Sequence, residues 1–464
     1  MLAATKSLYT SSVLRHGVAA VKEYPFSLRR TLLALAVGLL AISVLATFNS
    51  VFAQGDDVAS AGYVDNVVLI VAAALVFFMQ AGFAFLGAGL IRSKNTTNYL
   101  TKSFMDFAIA SLGFWAFGFA FMTGSSAGQF IGMSNFFLVE GNHVDWMFQM
   151  VFAATAATIV AGAMAERTKL QTYLAYSFIV SALIYPIYGH WVWGDGFLGA
   201  MGAQDYAGSG VVHAVGGFVA LAGAWVVGPR IGKFVNGRAQ ELPAHSTPFV
   251  VIGTFILFFG WFGFNINTGD NIGLNAVNTL LAGATGAVVA LYISLIAKGK
   301  ADILITCNGA LAGLVGITAP VAFVDPWAAV VIGAIAAPIM YFSVKFVENV
   351  LKVDDPVGAI SVHGVTGLWG LLAVAIFASG ADSAVAGGMR SEGTVGLVGG
   401  NAALLLPQIL SIIAVVVWPL ATGFALFFLL KFTMGVRVSE EEEIQGLDIS
   451  EHGIQTYPES AATS

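Results

Sequence analysis

Apolar runs of about 20 residues, the length an α-helix needs to cross ~30 Å of hydrocarbon, follow one another along nearly the whole chain. They fall near residues 65–91, 101–123, 146–164, 170–189, 208–228, 248–267, 274–297, 302–322, 327–347, 358–379 and 401–431, eleven in all. Inside a bilayer every backbone N–H and C=O must find a partner within the structure, and a run of this length satisfies itself as a helix. Of the 464 residues, 58% are hydrophobic and 10% charged, against about 25% charged in a soluble domain. The 54 glycines exceed the roughly 7% usual in proteins, which suits helices packed closely through small residues. The expected fold is an all-α membrane protein with 11 transmembrane helices.

Charge orients these helices. Arg92, Lys94 and Lys102 follow the first run, Arg167 and Lys169 the third, and Arg230, Lys233 and Arg238 the fifth. Lys298 and Lys300 follow the seventh, Lys345 and Lys352 end the ninth, and Lys431 and Arg437 end the eleventh. Of the 15 Lys and Arg after Ala53, Arg390 alone lies on the other side. Basic residues collect on the cytoplasmic side, so the mature N-terminus is expected outside and the C-terminus inside, as in a multi-pass protein of the plasma or inner cell membrane. Residues 1–53 read as a signal peptide. Lys6, Arg15, Lys22, Arg29 and Arg30 precede an apolar run over 32–48, and Val51-Phe52-Ala53 forms a small-residue cleavage site. The competing reading is a retained extra helix. A transmembrane domain over 54–431 and a cytoplasmic tail over 432–464 complete the chain, and the acids of that tail dominate the net charge of −6.

One phrase occurs twice. Asp205 precedes His213 by eight positions, Asp355 precedes His363 by eight, and both histidines open a V-H-x-V-x-G stretch: Val212 to Gly217 and Val362 to Gly367. An ionisable side chain at membrane depth usually faces a bundle interior and marks a route for substrate, ion or proton, so a matched pair points to one shared site. The plainer reading is a neutral histidine hydrogen-bonding between helices in each copy. The fifth and tenth runs cross in opposite senses, which implies two five-helix inverted repeats, about 63–228 and 248–380, plus a last helix over 401–431, with the site near midplane at their interface. Asp205 and Asp355, each ahead of a helix start, can cap free N–H groups.

Aromatic residues cluster in three places: Tyr188 to Gly196, which includes His190, Trp191 and Trp193 and is expected as a loop at the outer mouth; Phe148 with Phe152; and Trp261 to Asn265. Such a face can hold a cation, a contact worth about 0.5–1 kcal/mol when exposed and about 2 or more when desolvated. It can also be the interfacial belt common to membrane proteins or simple core packing. Cys307 is the single cysteine, which leaves no internal disulfide or thiolate metal cluster.

Together these residues resemble the ammonium transporter family (Amt/Mep/Rh), on its Amt side, over about 63–457. The marks are Phe152 to Thr158, Asp205 to His213, Gly228-Pro229-Arg230-Ile231-Gly232, Trp261 to Asn265, Asp354-Asp355-Pro356, Val362-His363-Gly364, Gly446-Leu447-Asp448 and His452-Gly453. The resemblance implies a homotrimer with one pore per subunit. It implies an outer ammonium site formed by Phe148, Trp193 and Thr268, supported from behind by Asp205, with Phe152 and Phe264 as a gate. His213 and His363, flanked by Trp261, would line the pore and relay the proton. The chain departs from the family at Asn267-Thr268, where Gly-Ser is usual; threonine keeps the hydroxyl and adds a methyl. The resemblance further implies that the tail packs under the pore, couples subunits and meets a PII-type nitrogen-signalling protein.

An apolar pore rejects intact cations, since moving one into low dielectric costs of order 20 kcal/mol. Ammonium differs from K+ because it can release a proton and continue as ammonia, and an uncharged histidine pair can accept a hydrogen bond and pass that proton. The expected function is transport of ammonium or ammonia within the lipid bilayer. The alternatives are an ammonium sensor and a neutral-gas channel of the Rh type. A zinc enzyme would need about three protein ligands, and no third His, Cys or carboxylate accompanies the two histidines at their depth. No cofactor, metal or nucleic acid is expected. The run Glu440 to Glu443 reads as a solvated surface.

Overall fold

The computed structural model describes residues 57–268, 271–379 and 394–458. The signal-peptide reading over 1–53 and Arg390 lie outside the described residues. Contacts divide the chain at Val64: of the first unit only 57–64 is described, as the start of a helix, and the second, Asp65–Ser464, holds the architecture below.

Among the described residues, ten helices are long and apolar enough to cross a membrane: Gly62–Leu90, Ser93–Thr123, His143–Ala163, Leu170–Ala200, Ser209–Val227, Thr247–Phe264, Ile272–Lys298, Pro326–Asn349, Ile360–Phe377 and Leu405–Thr433. His143–Ala163 and Ser209–Val227 are the most enclosed, at 83% and 89% of their apolar windows, whereas Ile272–Lys298 and Leu405–Thr433 bury 28% and lie at the periphery. Short hairpins of two-residue strands, Ser126–Ala127 with Ile131–Gly132 and Phe234–Val235 with Arg238–Ala239, occur between helices. Side chains cap several starts: Ser246 accepts from the N–H of Phe249, Asn271 from Leu274, and Asp302 from Leu304 and Ile305.

Two expected boundaries move for local reasons. The run near 302–322 is the shorter helix Ile303–Thr318, because Pro320 has no N–H to continue the ladder. The carbonyls of Thr318 and Ala319 instead accept from Ala207 and Tyr206. The aromatic stretch expected as an outer loop is mostly helix: Tyr185–Trp193 continues the fourth span. There Trp191 is buried against Phe130, Phe197 and Trp418, with ring centroids 5.1, 5.2 and 5.1 Å away. His190 is a cross-link, its Nδ1 2.9 Å from the Met122 carbonyl and its Nε2 2.8 Å from the Ser126 hydroxyl.

Basic residues of separate loops meet on one face. Arg230 holds Asp354 with two side-chain bonds, Nε to Oδ2 at 2.8 Å and Nη2 to Oδ1 at 3.0 Å, and also pairs with Glu166, which Arg92 grips from the other side. Burial alone would raise the Asp354 carboxyl, but Arg167 and Arg230 hold it well below the usual carboxylate range. The tail is bound into this face; Glu440 and Glu441 are exposed as the solvated reading expects, and Glu443 departs from it. Ser439 opens the helix Glu440–Gln445 with a capping box, and Glu443 is buried. Glu443 accepts from Arg437 at 2.7 Å and from the Ile231 N–H at 2.7 Å, while Lys94 donates to the carbonyls of Glu443 and Ile444. Asp448 accepts from the Asn98 N–H at 2.8 Å.

Candidate functional site

The repeated phrase folds the same way twice. Gly208 and Gly358, each five residues before a histidine, take φ of +109° and +81°, a region where a side chain is strained. Asp205 accepts from the N–H groups of Gly208 and Gly210 at 2.9 and 2.8 Å, and also from Val211 at 2.8 Å; Asp355 accepts from Gly358 and Ile360 at 3.0 and 2.7 Å. Capping is thus common to both acids. Each capped start opens a π-helical turn, Ser209–Ala214 and Ile360–Val365, that contains the histidine. The helices then cross through glycine. A Cβ on Gly217 would meet the Gly364 nitrogen at 2.2 Å, and one on Gly367 would meet the Ser209 carbonyl at 2.3 Å and the Ala214 Cβ at 3.1 Å. The contact is reciprocal: the fourth residue after each histidine packs against the first residue after the other.

This crossing brings His213 Nδ1 to 3.2 Å from His363 Nδ1. A series of rings leads to the pair. Centroids are 4.9 Å apart for Phe148 and Phe152, 4.5 Å for Phe152 and Phe264, 5.1 Å for Phe264 and His213, and 5.3 Å for His213 and His363. Trp261 stacks on His213 at 5.0 Å, and its indole N–H donates to the Thr318 hydroxyl at 2.9 Å. All these rings are buried, and His213 Nε2 has no hydrogen-bond partner among the described residues. Among those residues no group of three or more His, Cys, Asp or Glu is arranged to hold a metal ion.

Trp193 and Thr268 lie outside the ring series. The Trp193 indole donates to the Asp205 carbonyl at 2.7 Å, which fixes its plane beside the capped turn. Burial pushes the Asp205 carboxyl up to about 6, against the pull of the backbone N–H groups it accepts from. Thr268 is half-buried, and its N–H donates to the Asn267 side chain at 2.8 Å.

Toward the basic face, His363 lines a narrow cavity of about 20 Å³ with Phe83, Leu86, Tyr99, Thr158 and Leu311, room for roughly one water molecule. It shares Asn308 and Val357 with a wider cavity of about 520 Å³ near Arg230 and Asp355. Sequence reasoning missed Phe83, 6.0 Å from the His363 ring, and Thr318, since nothing separates them from core residues in an apolar run. It also missed Gly208 and Gly358, although their equal offset from the histidines is visible in the sequence.

Fold and site define a multi-pass membrane protein in which two crossing helices enclose a paired imidazole site at the end of a buried aromatic column. The family model "Ammonium Transporter Family" matches residues 67–457. The chain is 49% identical over 422 residues to ammonium transporter Amt2 of Archaeoglobus fulgidus, covering 86% of this chain and 89% of the relative. It is 37% identical over 428 residues to ammonium transporter Amt1 of Haloferax mediterranei, covering 85% and 80%. A solved structure called "Sensor Amt Protein" superposes with TM-score 0.80 at 37% identity, covering 85% of this chain and 99% of that one. Mep2 of Candida albicans superposes with TM-score 0.75 at 29% identity, covering 82% and 87%. The chain belongs to the ammonium transporter family, on its Amt side. That family consists of transporters, not enzymes.

Proposed function

We propose that this chain carries ammonium across a cell membrane, capturing the cation at an outer site and passing ammonia and a proton by way of His213 and His363. The observation that carries the reading is the nitrogen-to-nitrogen pair at 3.2 Å, set in an otherwise apolar column of rings. One Nδ1 donates and the other accepts, which leaves one ring nitrogen on each histidine for a guest. Ammonia has N–H donors and a lone pair, so it suits the unpartnered His213 Nε2 in either tautomer. Phe148, Trp193 and Thr268 recruit the cation, with Asp205 behind them; Phe152 and Phe264, whose rings meet edge to face, gate the passage; Trp261 walls the pore.

The wider architecture follows the same reading: eleven helices with Ile303–Thr318 as the short eighth, two inverted five-helix repeats, a homotrimer, a signal peptide removed after Ala53 and an external mature N-terminus. The reciprocal glycine contacts support the repeats, and the gathering of basic residues on one face supports the orientation. The bound tail offers a cytoplasmic surface for a PII-type partner.

Labelled-ammonium flux with membrane-potential recording in proteoliposomes tests the proposal. Uptake accompanied by inward charge, lost in His213→Ala, is expected. Uptake no faster than in empty liposomes would sink it.

A further inference from the structure

The ring column leaves one buried carboxyl without a role. Asp106 lies in the interior of the helix Thr96–Gly113 and is fully buried, where a carboxyl is costly and usually functional. Its Oδ2 is 2.6 Å from the Thr158 hydroxyl, which is also 2.8 Å from Gln80 Oε1 and 2.9 Å from the Ala154 carbonyl. One hydroxyl proton faces three acceptors. Asp106 Oδ1, Gln80 Nε2 and the hydroxyls of Tyr173 and Tyr176 are buried with no hydrogen-bond partner among the described residues.

This cluster adjoins the pore. Thr158 lines the same cavity of about 20 Å³ as His363 and Tyr99. Lys102, one helical turn from Asp106 toward the basic face, is also buried; its ammonium donates to the Thr168 carbonyl and lies 3.6 Å from Glu451 of the tail. Thr158 and Asp106 thus form a hydrogen-bonded pair beside the histidine cavity, and Lys102 stands one helical turn from Asp106 on the way to the basic face.

We propose that Asp106 is the proton-transfer group between the histidine pair and the basic face. The inference rests on the transport reading above. An N–H bond of ammonium breaks at the histidine pair, and ammonia moves on. The imidazolium passes its proton across the cavity to the Thr158 oxygen, which releases its own proton to the Asp106 carboxylate; the imidazole is neutral again and the carboxyl uncharged. The Asp106 O–H bond then breaks toward water at the basic face, near Lys102 and Glu451, and restores the carboxylate. One ammonium enters, and one ammonia and one proton leave, with no other reactant. Both states of Asp106 keep the bond to Thr158: the protonated carboxyl donates to the hydroxyl, and the carboxylate accepts from it once the hydroxyl turns.

Asp106→Asn keeps the shape and the contact with Thr158 but cannot take up and release a proton. In proteoliposomes its ammonium-driven current should fall by about tenfold or more, with thermal stability unchanged and passive ammonia equilibration, read from luminal pH, retained. Asp106→Glu should recover current, and Thr158→Val should lose it as Asp106→Asn does. Wild-type current in Asp106→Asn overturns the proposal. So does joint loss of current and thermal stability in both the Asn and Glu variants, which would make Asp106 a helix cross-link. A wild-type protein that carries ammonia without current would overturn the transport reading instead, and the two failures are distinct.

Discussion

His213 and His363 approach through like atoms, Nδ1 to Nδ1 at 3.2 Å, so a single proton lies between them and neither ring sets its own tautomer. Removing one ring therefore changes the other, and their effects should be non-additive. Ammonium-driven flux should drop strongly in His213→Ala and in His363→Ala and hardly further in the double variant, with K+ beginning to leak. Currents and thermal stability on the three purified variants check this. Additive destabilisation with unchanged selectivity would make the pair a packing feature.

Trp193→Ala should weaken capture. A cation–π contact on a half-buried ring such as Trp193 is worth about 1–2 kcal/mol, between the exposed and desolvated limits, so uptake at low ammonium should fall several-fold and recover at high ammonium. An unchanged concentration dependence would leave Trp193 as a clamp on the Asp205 carbonyl and nothing more.

Asp205 gives the proposed outer site a pH dependence. With its carboxyl raised to about 6 by burial, the folded protein favours the protonated form. The stability this contributes is full below the ordinary carboxylate range and is lost as pH rises through about 6. Capture runs the other way: protonation below pH about 6 removes the negative charge behind Trp193, so the half-saturating ammonium concentration should rise as pH falls through that value. In Asp205→Asn it should be raised and flat with pH, as uptake titrations between pH 5 and 8 would reveal.

Arg230→Ala removes the side-chain partner of buried Asp354 and leaves buried Glu166 to Arg92 and Asn95. Breaking a buried pair costs about 3–5 kcal/mol, and a marked drop in melting temperature is expected. Truncation after Val438 removes Glu443 and Asp448 but spares that bridge. The shortened protein should stay folded with reduced transport, measurable as flux per folded subunit, and wild-type flux would deny the tail a regulatory role.

Gly217→Ala sets a methyl 2.2 Å from the Gly364 nitrogen, and backbone must yield. Overpacking of this kind costs about 1–3 kcal/mol. Because the same crossing sets the imidazole distance, flux should fall further than the loss of melting temperature accounts for. Equal flux per folded molecule would uncouple the crossing from the pore.

Much of this architecture was legible because a bilayer leaves so few solutions: apolar runs of sufficient length had to become helices, and the doubled histidine had to mean something inside them. What escaped notice depended on three-dimensional meetings. Glu443 sits in a run of acids like any solvated patch, and only the arrival of Arg437 and the Ile231 N–H buries it. Pro320 announced an early helix end, yet the length of the apolar run concealed it. Asp106 was a lone acid near basic residues, and nothing in its neighbours along the chain revealed Thr158 or Gln80.

The π-helical turns at Ser209–Ala214 and Ile360–Val365 carry a further consequence. Such a turn holds one residue more than the α-helix around it requires, so deleting a single neighbour of either histidine would restore regular winding. The helix beyond would keep its place, because the wide turn already absorbs the extra residue, and the residues inside the turn, the histidine among them, would change direction. One imidazole would turn away from its counterpart although no residue of the pair had been replaced. The proposed pore is therefore specified by counting as much as by chemistry, and a related chain could keep both histidines, both acids and both glycines and still lose the pairing through a shift of one position.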